Sequence, residues 1–252
     1  MLAQDRYFCP SSTGGILSPA TLRMARQGLL GSALIKKYWM ALTGLFLISF
    51  LVIHALINGM IFFNDGGVTF NKWAHFMGTN LIVRTMELVL FLGLILHVVD
   101  GIILFRQNRA ARPQNYVYVR HQANSKWYSR SMAILGILIL LFLVVHLWHF
   151  WLPSRHIVGN LDPYGTDAAG QANMFALMKE VFSNPLPVVI YVLGCFALFW
   201  HLLHGFRSAF QSLGINHRKY NAFIAASGTL FSIVVPLVFA SMPVSMYLGW
   251  VN

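Results

Sequence analysis

Residues 43–54 read TGLFLISFLVIH and residues 135–146 read LGILILLFLVVH. Each is an apolar stretch that ends on a histidine, with a phenylalanine four residues and a glycine ten residues before it: Phe50 and Gly44 for His54, Phe142 and Gly136 for His146. Stretches this apolar read as helices inside a membrane. An imidazole at such depth is costly unless it has a partner or a task. Two more histidines, His97 and His204, sit in comparable apolar runs, and Leu94-Ile95-Leu96-His97 loosely matches Leu202-Leu203-His204-Gly205.

The composition agrees. Of 252 residues, 57% are hydrophobic and 10% charged, against about 25% charged in a soluble domain. Five runs, near 37–63, 80–105, 131–152, 185–210 and 220–250, reach the roughly 20 residues that a bilayer requires. The expected fold is an all-α membrane protein of five transmembrane helices, the first four forming the bundle around the histidines. Residues 1–36 hold no apolar stretch of the kind a cleaved signal peptide needs and read as a cytoplasmic N-terminal arm; residues 37–252 form the membrane domain.

The net charge of +11 does not point to nucleic acid, because it is sorted by side. Arg6, Arg23, Arg26, Lys36 and Lys37, then Arg106, Arg109, Arg112, Arg120, Lys126 and Arg130, then Arg207, Arg218 and Lys219 all fall at one end of the helices. The other end has Lys72, Arg84, Arg155 and Lys179 together with Asp65, Asp162, Asp167 and Glu180. Positive charge marks the cytoplasmic side, so the N-terminus is expected inside and the C-terminus outside. A basic inner face also suits an acidic protein partner or anionic lipid. Cys9 falls on the reducing side and Cys195 in a membrane helix, which argues against a disulfide.

Depth sorts the histidines. His54 lies 17 residues beyond Lys37, roughly 25 Å up a helix. His146 lies 16 residues beyond Arg130, at nearly the same height. His97 is nine residues before Arg106 and His204 three before Arg207, toward the inner face. The expected pairs are His54 with His146 and His97 with His204, about 10–15 Å apart in height. Two facing imidazoles are the axial ligands of a six-coordinate b haem, so the pattern reads as two haem b stacked across the bilayer, with the four histidines on haem iron. No Cys-x-x-Cys-His occurs, so attachment is non-covalent. His201 fits the inner level as well as His204 on depth alone. His149, three residues past His146 among Trp148, Phe150 and Trp151, reads as interfacial. A bare metal ion would want Met, Cys or carboxylate ligands at the same level, and only Asp100 is placed for that.

At these residues the chain resembles the two-haem, B-type cytochrome b membrane-anchor subunit of succinate dehydrogenase and fumarate reductase complexes (succinate:quinone oxidoreductases). The resemblance covers roughly residues 35–250. It rests on Thr43-Gly44-Leu45-Phe46 ahead of His54, His97 before a basic loop, Val144-Val145-His146-Leu147 and Leu203-His204-Gly205, with weaker support from 75–80 and 124–130. It implies His54, His97, His146 and His204 as ligands and selects His204 over His201. It further implies a bacterial cytoplasmic (inner) membrane, a partner subunit with covalent FAD and the dicarboxylate site, a second with iron–sulfur clusters, and electron transfer to a quinone, usually menaquinone. The chain departs from some fumarate reductases of this type, which carry a glutamate two residues before the fourth ligand; here that position is Leu202.

A quinone needs hydrogen-bonding groups at its carbonyls and a proton donor or acceptor. His75, Asn80, Arg84 and Glu87 cluster at the outer end of the second helix and form the candidate quinone set; Arg84 and Glu87 also suit a plain i,i+3 ion pair. The rival is the inner end near Lys126, Trp127 and Tyr128. Haem propionates would find Lys36, Lys37, Lys126, Tyr128, Arg130 and Arg207 on that side. Pro236 is expected to kink the fifth helix, which has no membrane histidine and is assigned to packing. The alternatives are a cytochrome b of another quinone-linked dehydrogenase or reductase, a histidine-based metal transporter, and an anchor without cofactor.

Overall fold

In a computed structural model of the chain, residues 33–111, 126–158, 161–167 and 169–251 are described. Arg6, Cys9, Arg23, Arg26, Arg112, Arg120 and residues 124–125 lie outside them. Helices account for nearly all of the described residues: α1 (Ala33–Asn58), α2 (Val68–Thr79), α3 (Leu81–Ala110), α4 (Trp127–Arg130), α5 (Met132–His146), α6 (Leu152–Ser154), α7 (Met174–Ser183), α8 (Pro185–Ser212) and α9 (Arg218–Tyr247). A π-helical turn, Leu147–Trp151, joins α5 to α6. Among the described residues the one extended feature is an isolated antiparallel bridge between Thr166 and Ala172.

Five helical spans are long and apolar enough to cross a membrane: Leu34–Phe63, Leu81–Ala110, Met132–Ser154, Pro185–Ser212 and Arg218–Tyr247. Their starts are written in the sequence. The Asn80 side chain accepts from Ile82 N at 3.0 Å and Val83 N at 3.2 Å, capping α3. Asn184 does the same for α8 through Leu186 N at 2.9 Å, with Pro185 in the first turn, where its missing N–H costs nothing. His217 caps α9 by accepting from Lys219 N. Pro236 and Pro243 both fall inside α9, which is one continuous helical segment.

Leu81, Ile82 and Leu88 on α3 are 80%, 74% and 72% exposed. Large apolar side chains bared in such numbers are what a lipid-facing surface requires. The interior is organised by α8, which packs against α1, α5 and α9, while α1 packs on α3. Glycines let aromatic rings come close. A Cβ on Gly194 of α8 would sit 2.5 Å from the Phe142 ring of α5, and one on Gly93 of α3 would sit 3.1 Å from Phe46 of α1. Such contacts are how helices associate where the solvent itself is apolar.

The end of the bundle that the charge pattern marks as outer is closed by a small core in which Ile61, Phe70, Phe175, Phe182, Met242 and Met246 meet. At its centre Asn71 is fully buried. Its Oδ1 accepts from Phe175 N at 2.9 Å and its Nδ2 donates to Asn173 Oδ1 at 3.1 Å, tying α2 to the start of α7. Replacing Asn71 with Ala would strand the Phe175 amide away from water, at about 1–3 kcal/mol. The thermal midpoint of the detergent-solubilised N71A protein is therefore expected to fall; an unchanged midpoint would show that this contact does not hold the outer end.

Candidate cofactor site

The repeat seen in the sequence becomes a repeat in space. Side chains four apart lie on one helix face, and the Phe50 ring stacks on His54 at 5.1 Å and 24°, as Phe142 stacks on His146 at 5.8 Å and 29°. These two ligand-candidate rings then meet across the bundle, His54 of α1 and His146 of α5, with centroids 5.7 Å apart and planes at 89°. Phe239 of α9 lies 5.4 Å from His54, so the fifth membrane helix contributes an aromatic wall. Tyr191 of α8 lies 5.9 Å from His146. Asn58 Nδ2 donates to the His54 carbonyl at 2.8 Å and stands 3.3 Å from its Nδ1.

At the inner level the structure brings His97 of α3 to His201 of α8, with centroids 6.3 Å apart. His204, the expected partner, instead lies 6.4 Å from the Tyr128 ring. Three residues correspond to about 300° of helix turn, so His201 and His204 face different neighbours. The glycines of the repeat single out the same pair. A Cβ on Gly44 would lie 3.3 Å from His97 Cε1, and one on its counterpart Gly136 would lie 4.0 Å from His201 Cε1. A signal for this was present in the sequence: His97 and His201 each precede a glycine by four residues, Gly101 and Gly205. The looser match of His97 to His204 passes over that spacing. In the glycine register His204 occupies the position of Asp100.

The two cross-helix ring pairs, His54 with His146 and His97 with His201, would suit a haem, which asks the protein for two imidazole ligands. Among the described residues no group of three or more His, Cys, Asp or Glu side chains gathers for a bare ion. His146 Nδ1 and His201 Nδ1 are buried without a hydrogen-bond partner. His97 differs, with Nδ1 3.2 Å from Thr43 Oγ1.

Around His204, the inner end is packed with aromatic rings. Tyr128 stacks on Trp200 at 5.4 Å and 28°, Trp127 meets Trp200 edge-on at 5.3 Å, and the Lys126 ammonium stands 5.7 Å over Tyr128. Trp200 Nε1 is buried with no acceptor.

The outer candidate set is only partly gathered. His75 is exposed on α2, and the Asn80 side-chain oxygen is engaged as the α3 cap. Arg84 and Glu87 form the expected i,i+3 pair at 3.1 Å. Glu87 also accepts from Arg155 Nη2 at 2.7 Å, Arg155 Nε at 3.2 Å and Trp151 Nε1 at 2.6 Å. The last two residues come from the π turn and the end of α6, more than sixty residues away in sequence; Arg155, a lone cation at the outer end of the third span, was their only trace. The π turn also swings His149 onto Tyr191, stacked at 5.9 Å with Nδ1 3.2 Å from the hydroxyl.

The chain is 27% identical over 188 residues to the succinate dehydrogenase cytochrome b558 subunit of Bacillus subtilis (strain 168), a match that covers 73% of this chain and 82% of that protein. No family model matches the chain, and no solved structure matches it. That relative is a cytochrome b558 subunit by name, and the five helices of this chain that are long and apolar enough to cross a membrane fit a membrane subunit of that kind.

Proposed function

We propose that the chain holds two b haems within its first four membrane helices and links an iron–sulfur subunit on the cytoplasmic face to a quinone in the membrane, with menaquinone as the first candidate. The observation behind this is the presence of two cross-helix histidine pairs, at 5.7 Å and 6.3 Å, on four different helices. The named relative supports the cytochrome and the dehydrogenase. A flavoprotein subunit would carry the dicarboxylate chemistry. The basic residues Lys36, Lys37, Arg106, Arg109, Lys126, Arg130 and Arg207 would face the cytoplasm and the two partners there.

Each haem, when bound, supplies a one-electron redox centre. The protein fixes and isolates it. His54 and His146 would hold the outer one. For the inner one we place His97 opposite His201, on the ring distance and the Gly44–Gly136 equivalence, in preference to His204. Phe50, Phe142 and Phe239 would exclude water from the outer pair and keep the dielectric low, one of the levers on haem potential beside ligand identity. Lys126, Tyr128 and the unpartnered Trp200 N–H would serve the propionates. Two residues before either inner candidate stands an apolar side chain, Phe199 or Leu202, so no carboxylate on α8 serves as a proton carrier there.

For the quinone we keep the outer end of α3. Of the four residues marked by the sequence, His75 and Arg84 remain as donors to a quinone carbonyl. Asn80 caps the helix, and Glu87 holds α3 to Arg155 and Trp151.

A dithionite-reduced minus oxidised spectrum of the purified complex, with pyridine haemochrome quantitation, is expected to give two b haems per chain; none would end the reading. His201→Ala is expected to remove one haem while His204→Ala retains both, and the reverse result would restore His204 as the ligand. Arg84→Gln is expected to raise the quinone KM several-fold with haem content unchanged. Glu87→Gln should instead lower the thermal midpoint, since it leaves Arg155 and Trp151 short of an acceptor at a cost on the order of 1–3 kcal/mol; an unchanged midpoint would contradict that role.

A further inference from the structure

Of the four candidate ligand rings, only His97 has a side-chain hydroxyl on its Nδ1. Thr43 is 7% exposed and lies on α1, one residue before Gly44, whose missing side chain lets the His97 ring approach. A threonine hydroxyl has one proton. Here it is donated to the Trp39 carbonyl at 2.8 Å, with the Met40 carbonyl at 3.3 Å. What remains toward His97 Nδ1 at 3.2 Å is a lone pair. The arrangement therefore accepts a proton from Nδ1–H, and that tautomer leaves Nε2 bare on the other side of the ring. The counterpart of Thr43 in the second copy of the repeat is Leu135, buried and unable to accept, and His201 Nδ1 has no partner.

We propose that Thr43 is a positioning residue for the inner haem, resting on the haem reading above: it fixes the His97 tautomer that presents Nε2 to iron and strengthens His97 as a donor. An acceptor on the distal ring nitrogen pushes electron density toward the metal. That favours the oxidised iron and lowers the potential of the haem His97 holds, leaving the other haem alone. The inner centre thus has one assisted and one unassisted imidazole.

The test is a redox titration of the intact complex, wild type against Thr43→Val and Thr43→Ser, with His97→Ala used to identify which spectral component is the inner haem. Val keeps the shape of threonine and removes the acceptor. In T43V the inner component is expected to shift upward in potential, only in part because the Met40 carbonyl also lies near the ring. T43S should return the wild-type value. An unshifted inner component in T43V, or a shift confined to the component that His97→Ala leaves in place, overturns the proposal. If T43V loses the inner haem, T43S decides: retention at the wild-type potential supports the hydroxyl, and loss in both variants shows a steric role and overturns it. A wild-type complex with no haem would instead defeat the reading on which this rests.

Discussion

An imidazole inside hydrocarbon is costly unless it has a partner or a task, and that cost organises this protein. Water is absent at that depth, and an unpaired ring nitrogen loses its solvation without return. The long helices are arranged so that His54 meets His146 and His97 meets His201. The neighbouring features serve those encounters: a phenylalanine one turn below His54 and His146, a glycine where a ring must approach a neighbouring backbone, and a central α8 that touches α1, α5 and α9.

The polar groups are partitioned by the same logic. Within the membrane they are few, and Thr43 is held on both sides, between the Trp39 carbonyl and His97. At the outer edge they are tied into fixed knots. Glu87 gathers two arginines and an indole, and Asn71 joins two short helices across a buried core. These knots use residues from distant parts of the chain, so the outer end is a clasp between segments rather than a set of separate loops.

The helices were legible because they need only length and apolar composition; the caps at Asn80 and Asn184 were not, Asn80 falling instead into the candidate quinone set. The encounter of His54 with His146 was legible because both histidines end the same motif at one counted depth. At the inner level depth admits both His201 and His204 and the resemblance takes His204, while the ring that stands near His97 is that of His201; depth resolves heights along a helix but not direction around it. His201 and His204 differ by less than a turn, and beyond the glycine four residues after His97 and His201 it is the faces of α3, α5 and α8 against one another that distinguish them. The Arg155 and Trp151 contacts to Glu87 depended on a π turn, which adds a residue to one turn and re-aims the side chains beyond it. No periodicity in the apolar residues announces such a turn.

The first two membrane helices contribute one imidazole to each level, and the next two contribute the other. Neither half of the chain contains a complete pair. During synthesis the inner level stays open until α8 has entered the membrane, so a ribosome that has made only the first two spans has made two half-sites. The protein's halves thus meet in their interior at both levels, in the manner of a dimer whose two subunits happen to share a chain.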